Sequence, residues 1–287
     1  MSEALKKILL LSLALILAFS LVAFVGCKEK LPQGEIDQII TAADAASYDT
    51  VSFDMDMPVT AKVTGGSDPG TMSIIMSGTG AIDVVNQAMQ MTMDMEMSLP
   101  DLDPQAIDAN IYILEGWMYT GIEIPGMGGQ WLKTELTEAM WEQQGQVEQY
   151  VELLATAVEV DYKGIETVNG IECYVFEIEP DMATLAALTL EETSILGMMD
   201  LSAFNIAELY KELSVREWLA KDSYLLQRAE IKLVFEVRPG DVGATSADFD
   251  KMTIDIGMAM RFYAYDQPFT VVLPPEALDA EEAPLSY

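Results

Sequence analysis

The sequence predicts an α+β fold built on a large curved antiparallel sheet, with helices gathered against its concave face. Three observations predict it. Apolar and polar residues alternate over three consecutive runs between Val51 and Leu99, the pattern of strands with one wet face. The third run, Met89 to Leu99, covers roughly 33 Å at about 3.3 Å per residue, and strands of that length need a curved sheet. Helical spacing appears at the start of the chain and again midway, with strands on either side, so the helices are segregated from the strands rather than alternating with them.

After a polar tether, Ile36, Ile39, Ile40 and Ala43 recur at helical spacing, and Glu35 to Ser47 reads as an amphipathic helix. The period then becomes two: Val51, Phe53, Met55, Met57, Val59, Ala61 and Val63 alternate with polar neighbours. A Gly-Gly-Ser-Asp-Pro-Gly turn leads to a second run, from Met72 to Val85 through Ile74, Met76, Ile82 and Val84, and a third carries Met89, Met91, Met93, Met95 and Met97. Shorter strands follow at Asn110 to Leu114, Trp117 to Thr120 and Gln130 to Glu135. Thr137 to Ala157 reads as helix, with Met140, Val147, Tyr150, Val151 and Leu154 close to one face. Val158 to Thr167 and Ile171 to Glu179 flank an Asn169-Gly170 hairpin turn. Helical stretches are expected from Asp181 to Leu188 and from Ser202 to Leu213. Strands at Val215 to Ala220, Tyr224 to Val237, Met252 to Tyr265 and Phe269 to Leu273 close the chain, and residues 276–287 read as a loose acidic tail.

Composition excludes several functions. With 15 Lys and Arg against 47 Asp and Glu the net charge is −32, which leaves no basic surface for a phosphate backbone and speaks against nucleic-acid partners. There is no His, so no imidazole relay or imidazole metal ligand can be assembled. At 51% apolar residues the chain has enough to bury a core despite its charge.

Lys6 and Lys7 precede an uncharged stretch from Ile8 to Gly26, followed by Cys27, which reads as a bacterial export signal. The run Phe24-Val25-Gly26-Cys27 resembles the lipobox of bacterial lipoproteins, with Phe24 where Leu is usual. That resemblance implies removal of residues 1–26 as a signal peptide and acyl chains on Cys27, whose two or more chains would hold the protein on a membrane. Residues 27–34 would then be the lipidated tether and 35–275 one extracytoplasmic domain. Cys173, left without a partner thiol, sits in an apolar run.

The 19 Met residues are the most unusual feature. Most take the apolar parity of long strands, where plain core filling accounts for them; a soft, shape-tolerant lining for acyl chains is the other account. Thioethers also select Cu(I), but Met91, Met93 and Met95 have no His or Cys beside them, and no metal is expected. The pairs Asp54/Asp56 and Asp94/Glu96 lie on solvated parities, where no apolar surroundings would raise a carboxyl pKa, so they read as surface. Asp101, Asp103 and Asp108 lack the Gly and distal Glu of an EF-hand loop. No Gly-rich strand-to-helix turn suits a nucleotide, and no cofactor is expected.

The run Gly164-Ile165-Glu166-Thr167-Val168-Asn169-Gly170-Ile171-Glu172-Cys173-Tyr174, with Trp117-Met118-Tyr119, Gln130-Trp131-Leu132-Lys133, Val215 to Leu226 and Val272-Leu273-Pro274-Pro275, resembles the superfamily of the lipoprotein carriers LolA and LolB and the mycobacterial LppX/LprG proteins. The resemblance implies an unclosed half-barrel of about eleven antiparallel strands, helices forming a lid over an apolar cavity, and no catalytic residue. On that basis Phe53, Met55, Met57, Ile74, Met76, Met91, Met93, Met95, Ile254, Ile256 and Met258 are the expected cavity lining, and Met140, Val147 and Leu154 the expected lid. The expected ligand is a lipid or the acyl chains of another lipoprotein. The rival reading is an anchored sensing or protein-interaction module whose core is filled by its own side chains.

Overall fold

The computed structural model describes residues 31–66, 69–100, 103–126, 128–142, 146–179, 210–239 and 249–282. Helix α1 (Gln33–Asp44) leads into six strands: β1 (Thr50–Thr64), β2 (Gly70–Asp83), β3 (Ala88–Ser98), β4 (Gln105–Leu114), β5 (Trp117–Ile124) and β6 (Gly128–Glu135). Helices α2 (Glu138–Glu142) and α3 (Gln146–Ala155) follow, then β7 (Glu159–Val168), β8 (Ile171–Glu179), β9 (Tyr210–Ala220), β10 (Leu226–Val237) and β11 (Lys251–Tyr263). A short helix α4 (Pro275–Leu278) and a two-residue strand β12 (Glu281–Glu282) end the described chain.

All twelve strands form one sheet in the order β12-β6-β5-β4-β3-β2-β1-β11-β10-β9-β8-β7. The first six strands step outward from the centre. The chain then restarts at the opposite edge, and the last five step inward until β11 meets β1. The two edges, β7 and β6 with β12, do not pair with each other, so the half-barrel is unclosed. Its middle is the antiparallel seam of β1 with β11, in register from Ser52↔Tyr263 to Thr64↔Lys251. The seam has one interruption, between Asp56↔Ala259 and Val59↔Ile256. Pro58 sits there and has no N–H to donate, and Gly257 opposite leaves room for its ring, since a Cβ would come 3.3 Å from Pro58 Cγ.

Alternation decides which face of each strand is buried. Val51, Phe53 and Met55 of β1 are buried, while Asp56 and Pro58 are exposed. Helices α1 and α3 lie over one end of this face: Ile36, Ile39 and Ala43 of α1 and Val147, Tyr150, Leu153 and Leu154 of α3 join Val51, Phe53, Met91, Leu226, Met260 and Phe262 in one core. The spacing of Ile36, Ile39 and Ala43 places all three on one helical stripe. Two hairpins rest on paired left-handed residues, Glu115 and Gly116 at φ 53° and 79°, and Asn169 and Gly170 at φ 50° and 85°, as tight two-residue turns require.

The sequence reading departs from this structure in four places. Residues 137–157 hold two helices, α2 and α3, in place of one. Tyr210 to Leu213, expected to end a helix, are the first residues of β9, where pairing with Val234 and Phe235 of β10 overrides local spacing. Phe269 to Leu273 is not a strand: both neighbours of β11 are already taken by β1 and β10, and Pro268 and Pro274 bracket the segment. Of the expected loose tail, the described residues up to 282 are tied down, with α4 followed by β12 pairing in parallel with Leu132 and Lys133 of β6. The expected helix at Asp181 to Leu188 and the first part of the one from Ser202 lie outside the described residues.

The candidate site on the concave face

Register places the candidate lining residues in rows across the sheet. In the first row Phe53 pairs with Phe262 on one side and Gly80 on the other, and Gly80 pairs with Met91. The ring of Phe53 lies over Gly80, where an added Cβ would come within 2.4 Å of it, so glycine at this position is what lets the ring lie flat against the sheet. In the next row Met55 faces Met260 and Gly78, and Gly78 faces Met93. The third row is made of thioethers: Met57 pairs with Met76 and Met76 with Met95, and Met258 continues the row on β11, bracketed by the pairs Asp56↔Ala259 and Val59↔Ile256. Beyond it Val59 pairs with Ile256 and Ile74, and Ala61 with Ile254.

Burial divides these residues into two groups. Phe53, Met55, Ile74, Met76 and Met91 are buried, whereas Met57, Met93, Met95, Ile254, Ile256 and Met258 are half-buried. The first and second rows, and Met258 at the β11 end of the third, lie where the helices pack. Tyr150 of α3 donates its hydroxyl hydrogen to Met258 Sδ at 3.3 Å and meets the Phe262 ring edge-on at 6.2 Å. Of the expected lid residues, Val147 and Leu154 are buried in the core, and Met140 on α2 is half-buried. The helix α1, which the sequence reading did not assign to the lid, adds Ile36, Ile39 and Ala43 to this cover.

Cavities lined by described residues border the face. One, of about 100 Å³, lies between α1, α3 and the turn joining β9 and β10, lined by Ala43, Tyr48, Val147, Val151, Tyr224 and Leu226. Another, of about 370 Å³, opens at the ends of β7, β8 and β9 beside Glu159, Asp161, Ile178, Glu179 and Leu213. At its rim Glu177 takes Lys163 at 3.1 Å and Arg216 at 3.5 Å, and hydrogen bonding to Glu177 raises the Lys163 pKa above its usual 10.5. These exposed pairs add little stability.

Glu217 is the functional candidate that sequence reasoning missed. Val215, Glu217 and Leu219 share the concave parity of β9, and all three are 0% exposed. Both Glu217 carboxyl oxygens are buried, with no hydrogen-bond partner among the described residues, and burial raises its pKa well above the ordinary 4.5. The signal was legible: a charged residue between two apolar ones at a spacing of two. On the convex side of the same strand, Trp218 is buried with Val168, Cys173 and Val175. Its Nε1–H donates to Glu166 at 2.8 Å, and the Arg228 guanidinium lies 4.7 Å from the ring centroid. Burial also pushes the Cys173 thiol up from its usual 9.0, which makes it a poor nucleophile.

The paired acids lie on the convex surface. Asp56, Asp94 and Glu96 are exposed, and Asp54 accepts a hydrogen bond from the Tyr263 hydroxyl at 2.9 Å. Among the described residues no three His, Cys, Asp or Glu side chains are grouped to hold a metal, and no helix is long and apolar enough to cross a membrane. Cys27 lies outside the described residues.

Among solved structures, the chain is similar to the lipoprotein LppX of Mycobacterium tuberculosis, with 12% identity and a TM-score of 0.41 over 84% of this chain and 100% of that one. It is similar to LprF of Mycobacterium bovis, with 14% identity and a TM-score of 0.42 over 85% and 98%. A DUF1329 family protein of Desulfovibrio piger is a more distant likeness, with 12% identity and a TM-score of 0.24 over 83% and 94%. No curated protein sequence matches. The description that matches the sequence itself is "Family of unknown function (DUF6612)", over residues 35–282, and the chain belongs to that family.

Proposed function

We propose that this protein is a lipid-anchored, extracytoplasmic lipoprotein that binds or carries a hydrophobic ligand, a lipid or the acyl chains of another lipoprotein, on the concave face of its half-barrel. The observation that carries the reading is the apolar surface left half-buried at Met57, Met95, Ile254, Ile256 and Met258. Covering it with an acyl chain would contribute about 25 cal/mol for each Å² removed from water, and thioethers adapt to a flexible chain. The expected lining residues Phe53, Met55, Ile74, Met76 and Met91 would support this surface from below, and Met93 would edge it. The reading is one of binding rather than catalysis, as the buried apolar face suits.

Cys27 would carry the anchor after removal of residues 1–26, and the strong negative charge of the domain would hold it off anionic head groups. A second reading has an observation in its favour: Met55, Met76 and Met91 are already buried by the protein itself, as a protein-interaction scaffold with a self-filled core would require. One experiment addresses both parts. Metabolic labelling with palmitate is expected to mark the wild-type protein and not Cys27→Ser, and organic extraction of the released Cys27→Ser protein is expected to yield lipid by mass spectrometry. Labelling of Cys27→Ser would refute the anchor, and a lipid-free extract that stays lipid-free after incubation with membranes would favour the scaffold.

A further inference from the structure

The concave face carries one polar feature that neither the fold nor the core explains. Among the described residues, three buried side chains are polar or charged: Thr50, Gln227 and Glu217. Thr50 donates its hydroxyl hydrogen to the Gln267 carbonyl at 2.8 Å, and Gln227 donates to the Leu225 carbonyl at 3.3 Å. Glu217 has no such partner. A buried polar group left unpaired is destabilising, so a carboxyl here weakens the fold unless something else uses it.

Its surroundings narrow what that something is. Register sets Ala229 of β10 on one side of Glu217 and Phe176 of β8 on the other. Ala229 is the smallest side chain in its stretch of the face, between Met260 and Glu217. On the same face, among the described residues, the rings of Tyr174 and Tyr162 meet Phe176, the register partner of Glu217, at tilted angles. The cations of the neighbouring strands take the opposite parity. Arg216 and Arg228 lie over Trp218 on the convex side, Arg216 reaching Glu177 and Arg228 reaching Glu230, and Lys232 pairs with Glu212 there.

An anionic head group placed beside Glu217 would therefore meet a carboxyl and no compensating cation. A cationic group would require two desolvated charges in an apolar interior, which costs more than a neutral hydrogen bond unless further partners satisfy both. The remaining chemistry is an uncharged acceptor. Acyl esters and amides carry one where chain meets head. The thioether row begins two strands across and two residues along, at Met258, which lines up through Ile231 with Val215, a distance of about 12 Å at 4.8 Å per strand and 3.3 Å per residue.

We propose that Glu217 is the polar anchor of the concave face, its carboxyl donating a hydrogen bond to the ester or amide carbonyl of an uncharged acylated ligand whose chain lies along Met258, Met57, Met76 and Met95. This rests on the carriage reading above and adds to it the ligand's chemical class and orientation. The test is a titration of the full-length protein with dioleoylglycerol and with the matching dialkyl ether glycerol, which has the chains but no carbonyl. Wild type is expected to bind the ester at least tenfold more tightly. Glu217→Gln, whose amide N–H still donates, is expected to keep most of that preference, and Glu217→Leu to bind the two alike. Equal binding of ester and ether by wild type overturns the anchor and leaves carriage standing, and that comparison needs no variant. A preference that survives in Glu217→Leu overturns it as well. Failure of wild type to bind either lipid removes the carriage reading and the anchor together.

Discussion

Phe53→Ala is expected to lower the unfolding free energy by about 3–5 kcal/mol, the range for deleting a buried aromatic ring from a core that relaxes only in part. Phe53 is 1% exposed and sits on the seam between β1 and β11, opposite Phe262 and over Gly80. Its loss opens a cavity at the line where the two halves of the sheet meet, and the β1 backbone is held there on both sides by pairing to β2 and β11, so it cannot close in. Met57→Ala, two repeats of the alternation further and half-buried, should cost clearly less. Urea unfolding of both variants checks this. A loss below about 1 kcal/mol for Phe53→Ala would mean that the seam is not a packed core.

Glu217→Met is expected to stabilise the ligand-free protein, and by an amount that depends on pH. In the folded chain burial keeps the carboxyl protonated well above 4.5, while in the unfolded chain it ionises above that value. Between the two pKa values the folded state holds one proton more than the unfolded state. The Glu217 contribution to stability therefore falls by about 1.4 kcal/mol for each pH unit as pH rises from 4.5 toward the raised value, and is constant below 4.5, where both states are protonated. The variant lacks this loss. Its advantage over wild type should grow as pH rises from 4.5 toward the raised value in paired denaturant titrations. An advantage that stays the same across that range would show that Glu217 is ionised or partnered in the fold.

The features read correctly from sequence are those set by local repetition. The alternation from Val51 to Leu99 gave three strands within two residues of their observed ends, because a half-buried strand writes its period directly into the chain. The Ile36, Ile39, Ala43 stripe did the same for α1. What was not legible depends on pairing between distant segments. Nothing in β1 says that β11, rather than another strand, lies beside it, and nothing in Tyr210 to Leu213 says that β10 will claim those residues. Phe269 to Leu273 shows the converse, strand-forming residues with no free neighbour to pair with. At the candidate site, parity predicted which Met side chains share a face. Which of them the helices cover follows from where α1 and α3 land. Glu217 stood out by its charge at an apolar position, but that both its oxygens lack a partner is visible only when β8 and β10 are in place.

The central claim is that the half-buried rows of the concave face bind acyl chains. Its most direct test is fluorescence titration with a diacylglycerol bearing a pyrene-labelled chain, comparing wild type with Met95→Lys and Ile256→Lys. Both positions are half-buried, so a lysine can reach solvent through its long stem and the fold survives, while its ammonium stands where the chain would lie. Saturable binding by wild type, weakened at least tenfold in each variant, is the predicted result. Binding that both lysines leave unchanged, in variants that unfold as wild type does, would contradict the claim.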